Sequence, residues 1–189
     1  MQKHPVNSSE AGFTLIELLV YCVLIVLVVT AVGGIMKSVQ STSNAVRTVT
    51  SDASEGQLVA DSITAGVRNS SDFRLTSPSG TDQLLVARVA ESGTILTWAC
   101  SAWYYSASGT GSIRFTRSPA AIVAPTAGEL VNWTLLDDGI TPANGTSVFS
   151  ATGALLNVAF KGTTTSRPSV LIKSTALSRA GASGSLTCF

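Results

Sequence analysis

The sequence predicts an α+β protein. A long N-terminal helix, transmembrane in its first half and amphipathic in its second, would pack on an antiparallel β-sheet head. Residues 13–36 form a nearly uninterrupted apolar run, and apolar residues then recur at helical spacing as far as residue 69. After residue 69 the apolar period changes to two, with turn signals between short segments. Because the helix stripe needs a covering layer, the pattern favours a helix on one face of a sheet over a β-sandwich.

The apolar run from Phe13 to Met36 is long enough to cross a membrane once. Its 24 residues would form a helix of about 36 Å, whereas the hydrocarbon core is about 30 Å thick. Glu17 is its single charge, and Lys37 follows it. Lys3 favours a cytoplasmic N-terminus and Lys37 weakens that bias. We expect a single-pass helix in the cell membrane, with the head outside the cytoplasm.

Two processing routes are open to this segment. As a conventional secretory signal it would be removed at the small-x-small sequence of residues 31–33. Cleavage after Gly12 would instead retain the apolar run. Glu17 favours retention, since a signal has no use for a carboxylate and a charge near the bilayer centre costs on the order of 2.5–3.5 kcal/mol. The α-amino group exposed on Phe13 lies too close to its own helix start to pair well with Glu17. The amine of an axially shifted neighbour would pair with it, which predicts an assembly.

The residues from Gly12 to Val20, GFTLIELLV, resemble the prepilin cleavage and methylation motif of type IV pilins and type II secretion pseudopilins. The resemblance implies cleavage between Gly12 and Phe13 by a prepilin peptidase, N-methylation of Phe13, and a role for Glu17 in subunit assembly. The implied partners are other pilin or pseudopilin subunits, the prepilin peptidase and methyltransferase, an inner-membrane assembly platform and, before assembly, membrane lipid. The mature protein would reside in an extracytoplasmic filament or at the cell surface.

The resemblance also implies a domain organisation. Residues 1–12 would be the leader, residues 13–36 the transmembrane and filament-core helix, residues 37–69 its amphipathic continuation, and residues 70–189 the β-rich head. Many major pilins carry a proline well inside the mature helix, and here Gly33-Gly34 lies in that region. Paired glycines lower helix propensity by about 1 kcal/mol each, so they would loosen the helix there. A hinge at the membrane exit, or a close helix contact, fits the same residues.

The amphipathic continuation is predicted from a narrow apolar stripe. Its members recur every seven residues in two interleaved series: Val39, Val46, Ala53, Ala60 and Val67, with Thr42, Val49, Gly56 and Ile63. Several of them are small, so the stripe would make a poor coiled coil. It is better suited to packing on a head domain.

The head is predicted to be a meander of short strands. The period-two segments are Asp72–Ser77, Gln83–Val89, Thr94–Cys100, Ala102–Ser106, Ser112–Arg117, Leu130–Leu136, Ala154–Lys161 and Ser169–Ser174. Turn signals separate them: Pro78-Ser79-Gly80, Ser92-Gly93, Gly109-Thr110-Gly111, Asp138-Gly139, Asn144-Gly145 and Gly162. The aromatic stretch from Trp98 to Tyr105, followed by a glycine-rich turn and Ile113-Arg114-Phe115, resembles larger minor pilins and J-type pseudopilins. An aromatic hairpin core explains the same residues.

Composition excludes several function classes. The net charge is +1 with scattered arginines, which gives no basic field for nucleic acid. The single histidine, His4, lies in the leader, so His-based catalysis and His metal ligation are absent from the mature chain. No phosphate-binding loop, dinucleotide fingerprint or CxxC pair occurs. We therefore expect no catalytic residues, no cofactor, no metal and no enzyme. Asp137-Asp138-Gly139 is the one calcium candidate, against an ordinary turn.

The three cysteines divide between the two parts of the chain. Cys22 lies inside the apolar run, whereas Cys100 and Cys188 lie in the polar part. A Cys100–Cys188 disulfide fits an exported head, and three free buried thiols are the alternative. The sequence thus favours a structural subunit, a minor pilin or minor pseudopilin, of a type IV pilus-like filament. The competing hypotheses are a secreted binding or adhesion protein with a removable signal peptide, and a membrane-anchored hydrolase.

Overall fold

The computed structural model describes residues 14–91, 97–145, 147–162, 169–179 and 187–189. The chain divides into an N-terminal unit that ends at Val46 and a C-terminal unit, Arg47–Phe189. The predicted α+β architecture, a long N-terminal helix and an antiparallel β-sheet head, is confirmed.

The N-terminal helix, α1, spans Leu15–Arg68. Its first bonds run from the backbone N–H groups of Glu17 and Leu18 to the carbonyl of Thr14, at 3.0 and 3.2 Å. The helix continues through Gly33 and Gly34 without a break. Within the described residues, α1 is the helix whose length and apolar composition suit a membrane crossing.

The first sheet is the predicted meander. It contains β1 (Ser70–Thr76), β2 (Gln83–Glu91), β3 (Thr97–Ser106), β4 (Ser112–Ser118) and β5 (Thr134–Asp138), each antiparallel to the next. A short helix, α2 (Ala127–Leu130), lies between β4 and β5. The turns hold glycines with positive φ, among them Gly111 at +81°. A Cβ on Gly111 would overlap the carbonyl oxygen of Ile140, so this position requires glycine.

The last strands form a second, separate sheet. It contains β6 (Ile140–Pro142), β7 (Phe149–Thr152), β8 (Leu155–Gly162) and β9 (Val170–Leu177). β8 is its central strand and pairs antiparallel with the other three. β6 and β7 are too short to show an apolar alternation, so the sequence did not predict them.

The main core lies between the C-terminal part of α1 and the inner faces of both sheets. Helix residues such as Val59, Ile63 and Val67 pack with Trp103 of β3 and Phe160 of β8. Of the predicted stripe, only the part from Gly56 onward is buried, and Val39, Thr42 and Val46 are exposed.

Glycines let the helix approach the sheets closely. A Cβ on Gly66 would lie 2.7 Å from Cζ2 of Trp103 and closer still to Cη2, and a Cβ on Gly56 would lie 3.0 Å from Cγ1 of Ile172. The Trp103 indole N–H donates to the Ser62 hydroxyl at 3.2 Å. The indole therefore packs directly on the helix backbone, and any side chain at residue 66 would displace it.

A smaller core covers the outer face of the first sheet. Leu84, Val86, Cys100, Ala102, Tyr104 and Cys188 form it, with Trp133 and Phe189 at its margin. β3 is consequently buried on both faces. The predicted break between Cys100 and Ala102 was wrong for this reason: Ser101 lies in a continuous strand, 5% exposed, because both sides of the sheet are covered.

Other predicted segments differ in detail. The segment Leu130–Leu136 was predicted as one strand, but Leu130 ends α2 and the strand begins at Thr134. Thr126 caps α2 through a reciprocal pair of bonds with Glu129, a local signal that favours a helical turn there. Gly162 ends β8 instead of forming a turn. The predicted turn at Ser92-Gly93 and the first residues of the predicted strand at 94–100 lie outside the described residues.

Candidate functional site

The candidate assembly segment, residues 14–36, has no buried side chain within the described chain. Every residue of it is exposed, and typical members such as Leu19 and Val29 are 52% and 63% exposed. Burying one Leu, Ile or Val side chain is worth about 1.5–3 kcal/mol, so water is an unfavourable neighbour for the whole surface. Such a surface is suited to contact with lipid or with other apolar helices.

Two polar side chains of the segment, those of Thr30 and Glu17, have different surroundings. The Thr30 hydroxyl donates to the carbonyls of Val26 and Leu27 at 2.7 and 3.0 Å, which removes its cost in an apolar medium. Glu17 differs, because in the described part of the chain no ion pair involves its exposed carboxylate. The segment therefore carries one charged side chain, Glu17, without a described ion pair.

Glu17 also has a local role in starting the helix. It is the third helical residue after Thr14, and its backbone N–H lies 3.4 Å from the Thr14 hydroxyl oxygen. A carboxylate in the first turn of a helix is favourable by about 0.3–1 kcal/mol. This is smaller than the cost of an unpaired charge in lipid, on the order of 2.5–3.5 kcal/mol at the bilayer centre.

The remaining predicted processing residues, Gly12 and Phe13, lie outside the described residues. Gly33 and Gly34 are described, and a Cβ on either would have no neighbour within 4 Å. The helix is neither broken nor closely packed at these glycines within this chain, so the structure contains no loosening there.

The head contains the disulfide that the sequence had left open. Cys100 of β3 and Cys188 are bonded, with their Cα atoms 5.4 Å apart. The bridge fixes the C-terminus against the outer face of the first sheet, where the Ile122 N–H also donates to the Cys188 carbonyl at 3.1 Å. Cys22 is a free, exposed thiol in the apolar segment. A disulfide of this kind persists in oxidising compartments.

The calcium candidate is an acidic region without the required ligand set. Burial raises the pKa of Asp137 to about 6, and the nearby carboxylates of Glu55, Asp138 and Asp52 add to the shift. Asp138 donates its backbone N–H to Oδ1 of Asp137 at 2.8 Å. Among the described residues, no group of three or more His, Cys, Asp or Glu side chains is arranged to hold a metal ion. Burial and the neighbouring carboxylates therefore raise the pKa of Asp137, and the described acidic side chains form no metal site.

Sequence reasoning missed a polar pocket in the head. It is formed by four segments that are far apart in the chain: residues 69–71, 90–91, Trp98 and Arg179. Asn69-Ser70-Ser71 matches the Asn-x-Ser/Thr glycosylation triplet, but no motif links the four segments to one another. Only the fold brings them together.

Comparison with known proteins identifies one region. Residues 7–35 match the prokaryotic N-terminal methylation motif. No curated protein and no solved structure matches the chain. The motif confirms the resemblance to type IV pilins and pseudopilins, a family of structural proteins that are not enzymes. It does not confirm the finer resemblance to J-type pseudopilins.

Proposed function

We propose that this chain is a structural subunit, a minor pilin or minor pseudopilin, of a type IV pilus-like filament. A prepilin peptidase would cleave it between Gly12 and Phe13, and the helix from Phe13 to Met36 would form the filament core. One observation carries the proposal. The methylation motif, residues 7–35, overlaps an exposed apolar helical segment, residues 15–36, whose single carboxylate, Glu17, is without a described ion pair.

The membrane stage follows from the surface of the segment. Before assembly, lipid covers residues 13–36 and holds the precursor in the membrane, with the head, residues 70–189, outside the cytoplasm. The Cys100–Cys188 disulfide supports this orientation, because disulfides form and persist outside the reducing cytoplasm. Residues 1–12 contain no apolar run, which fits a leader recognised by the peptidase instead of an anchor.

The assembly stage follows from the charges. Cleavage gives Phe13 an α-amino group, which methylation leaves basic, and this cation pairs with Glu17 of the adjacent subunit. The pair removes the cost of a lone carboxylate in an apolar bundle, and the neighbouring helices replace lipid around the remaining side chains. The inner-membrane assembly platform would move the subunit from lipid into the filament. The size of the head, residues 70–189, supports the assignment as a minor subunit, which would initiate or cap the filament.

Mass spectrometry of the mature N-terminus tests the processing step. We expect the purified protein to begin at N-methylated Phe13 with the apolar segment retained. A protein that begins at Gly34 would contradict the proposal and would favour a secreted binding or adhesion protein with a conventional signal peptide. A protein with residues 1–12 still attached, isolated from cells with active prepilin peptidase, would also contradict it.

A Glu17→Ala variant tests the assembly step. We expect it to enter the membrane and lose its leader but to be depleted at least tenfold from isolated filaments, because the neighbouring amine would have no partner. Thr14→Ala is the matched control, since it removes the other capping residue and keeps the carboxylate. Normal incorporation of Glu17→Ala, or equal depletion of both variants, would exclude the charge-pairing role.

A further inference from the structure

A polar pocket opens at one edge of the first sheet. Its volume of about 380 Å³ lies within the range of small-molecule sites, roughly 300–1,000 Å³. Residues from four segments line it: Asn69, Ser70 and Ser71 after α1, Ala90 and Glu91 at the end of β2, Trp98 in β3, and Arg179 after β9. All belong to the C-terminal unit.

Buried hydrogen bonds fix the floor of this pocket. The Ser70 hydroxyl donates to the Val67 carbonyl at 2.7 Å, and the Ser178 hydroxyl donates to the Ser70 carbonyl at 3.1 Å. Both serines are at most 5% exposed. The Ala90 N–H closes the adjacent edge by donating to the Asn69 carbonyl at 3.1 Å. Arg179 therefore directly follows a buried, hydrogen-bonded residue, Ser178. These hydrogen bonds hold the backbone of the lining segments in place.

The pocket has an unmatched cation. Its carboxylate, Glu91, is already engaged: Arg117 contacts Oε1 at 2.8 Å, and the Thr97 hydroxyl donates to Oε2 at 2.9 Å. Arg179 is exposed, and no ion pair in the described part of the chain includes it. A guanidinium binds a carboxylate with two parallel hydrogen bonds, so Arg179 is suited to an anionic group on a ligand.

The other lining groups favour a ligand with many hydroxyls. Trp98 is half-buried, and the Arg88 guanidinium lies 5.7 Å from its ring centroid, while Nε of Arg88 donates to the Ser71 hydroxyl at 2.6 Å. The indole therefore gives the pocket an apolar surface. Asn69 adds an amide donor and acceptor beside it. We propose that this pocket binds a carboxylate-bearing sugar unit, with Arg179 on the carboxylate, Asn69 on ring hydroxyls, and Trp98 against the ring.

Ligand-observed NMR titration of the full-length protein in detergent tests this proposal, with three probes. Glucuronic acid carries both the ring and the carboxylate, glucose carries the ring alone, and acetate carries the carboxylate alone. We expect glucuronic acid to bind saturably and at least tenfold more tightly than either other probe. Arg179→Gln should weaken that binding roughly 10- to 100-fold, because one charge-assisted pair is lost. Arg179→Lys should fall between Arg179→Gln and the wild type.

Lys173→Gln is the matched control, since it removes one exposed positive charge of the same unit outside the pocket. It should leave glucuronic acid binding unchanged. Thermal unfolding of each variant checks that the head remains folded. Three results would overturn the proposal: no saturable binding of glucuronic acid, acetate binding as tightly as glucuronic acid, or equal affinities for Arg179→Gln and Lys173→Gln. None of them bears on leader cleavage or filament assembly, which are read from the N-terminus and from filaments.

Discussion

Replacing Gln83 by methionine tests how the two sheets of the head are joined. The Gln83 amide, 5% exposed, accepts hydrogen bonds from the backbone N–H groups of Val148 and Phe149 at 2.6 and 2.9 Å. It donates to the Phe149 carbonyl at 2.8 Å. One side chain of β2 in the first sheet thus bonds to three backbone groups at the start of β7 in the second.

The magnitude follows from these three bonds. A net intramolecular hydrogen bond contributes about 1 kcal/mol, and a buried group left without a partner costs about 1–3 kcal/mol. Methionine fills a similar volume and offers no amide, so the Gln83→Met variant should lose about 3–5 kcal/mol of unfolding free energy. That is a large part of the stability of a typical domain, about 5–15 kcal/mol.

Urea denaturation of the full-length protein in mild detergent measures this loss as a lower midpoint at constant slope. Tryptophan fluorescence follows the transition, since the buried Trp103 becomes exposed on unfolding. Gln57→Met is the matched control, because Gln57 is exposed on α1 and its side-chain amide donates a hydrogen bond to Oδ1 of Asp61 at 3.4 Å, on the same helix. The control should change the free energy by less than about 0.5 kcal/mol. If the two variants lose the same amount, the amide does not join the sheets.

Three further perturbations address the core, the bridge and the acidic region. Gly66→Ala should destabilise the head by up to about 2 kcal/mol, since displacing Trp103 costs about 1–3 kcal/mol and helix propensity returns about 1 kcal/mol; urea denaturation measures it. Replacing Cys100 and Cys188 by serine should cost about 4–5 kcal/mol, because the bridge spans 88 residues; denaturation with and without reductant measures it. Asp137, with a pKa near 6 against 3.8 unfolded, binds its proton more tightly in the folded state. Stability should therefore decrease as pH rises from about 4 to 6, and Asp137→Asn should flatten this slope and add about 1 kcal/mol at pH 7, after allowance for solvent screening.

Each of these changes has a control within the chain. Gly34→Ala lies in the same helix with no neighbour near its Cβ, so it should not destabilise the head. Cys22→Ser removes the free thiol. It should leave the unfolding free energy of the head unchanged. Asp138→Asn removes an exposed neighbouring carboxylate, and most of the pH slope should remain. A destabilised Gly34→Ala, reductant-independent stability, or a slope unaffected by Asp137→Asn would contradict the respective argument.

Local patterns predicted much of the fold because the signals are contiguous. The helix ends at Arg68, within one residue of the predicted boundary, where the apolar period changes. β2, β4 and β8 lie close to their predicted positions, since each is a run of alternating or apolar residues between turn signals. β6 and β7 were missed because their few residues are specified by pairing with β8. The strand was wrongly predicted to break at Ser101, because a polar residue suggests a strand end. Only the structure shows that both faces of the sheet are covered there.

The sequence alone determined the helix, the chemistry of its apolar surface and the cleavage motif, because periodicity, hydrophobicity and a short motif reside in neighbouring residues. Only the tertiary structure decided the division into two sheets, the Cys100–Cys188 bridge, the contact of Gly66 with Trp103, and the pocket around Arg179. Each of these joins residues that are distant in the chain. Such contacts depend on which segments pack together in the core. The spacing of residues within one segment does not determine that packing.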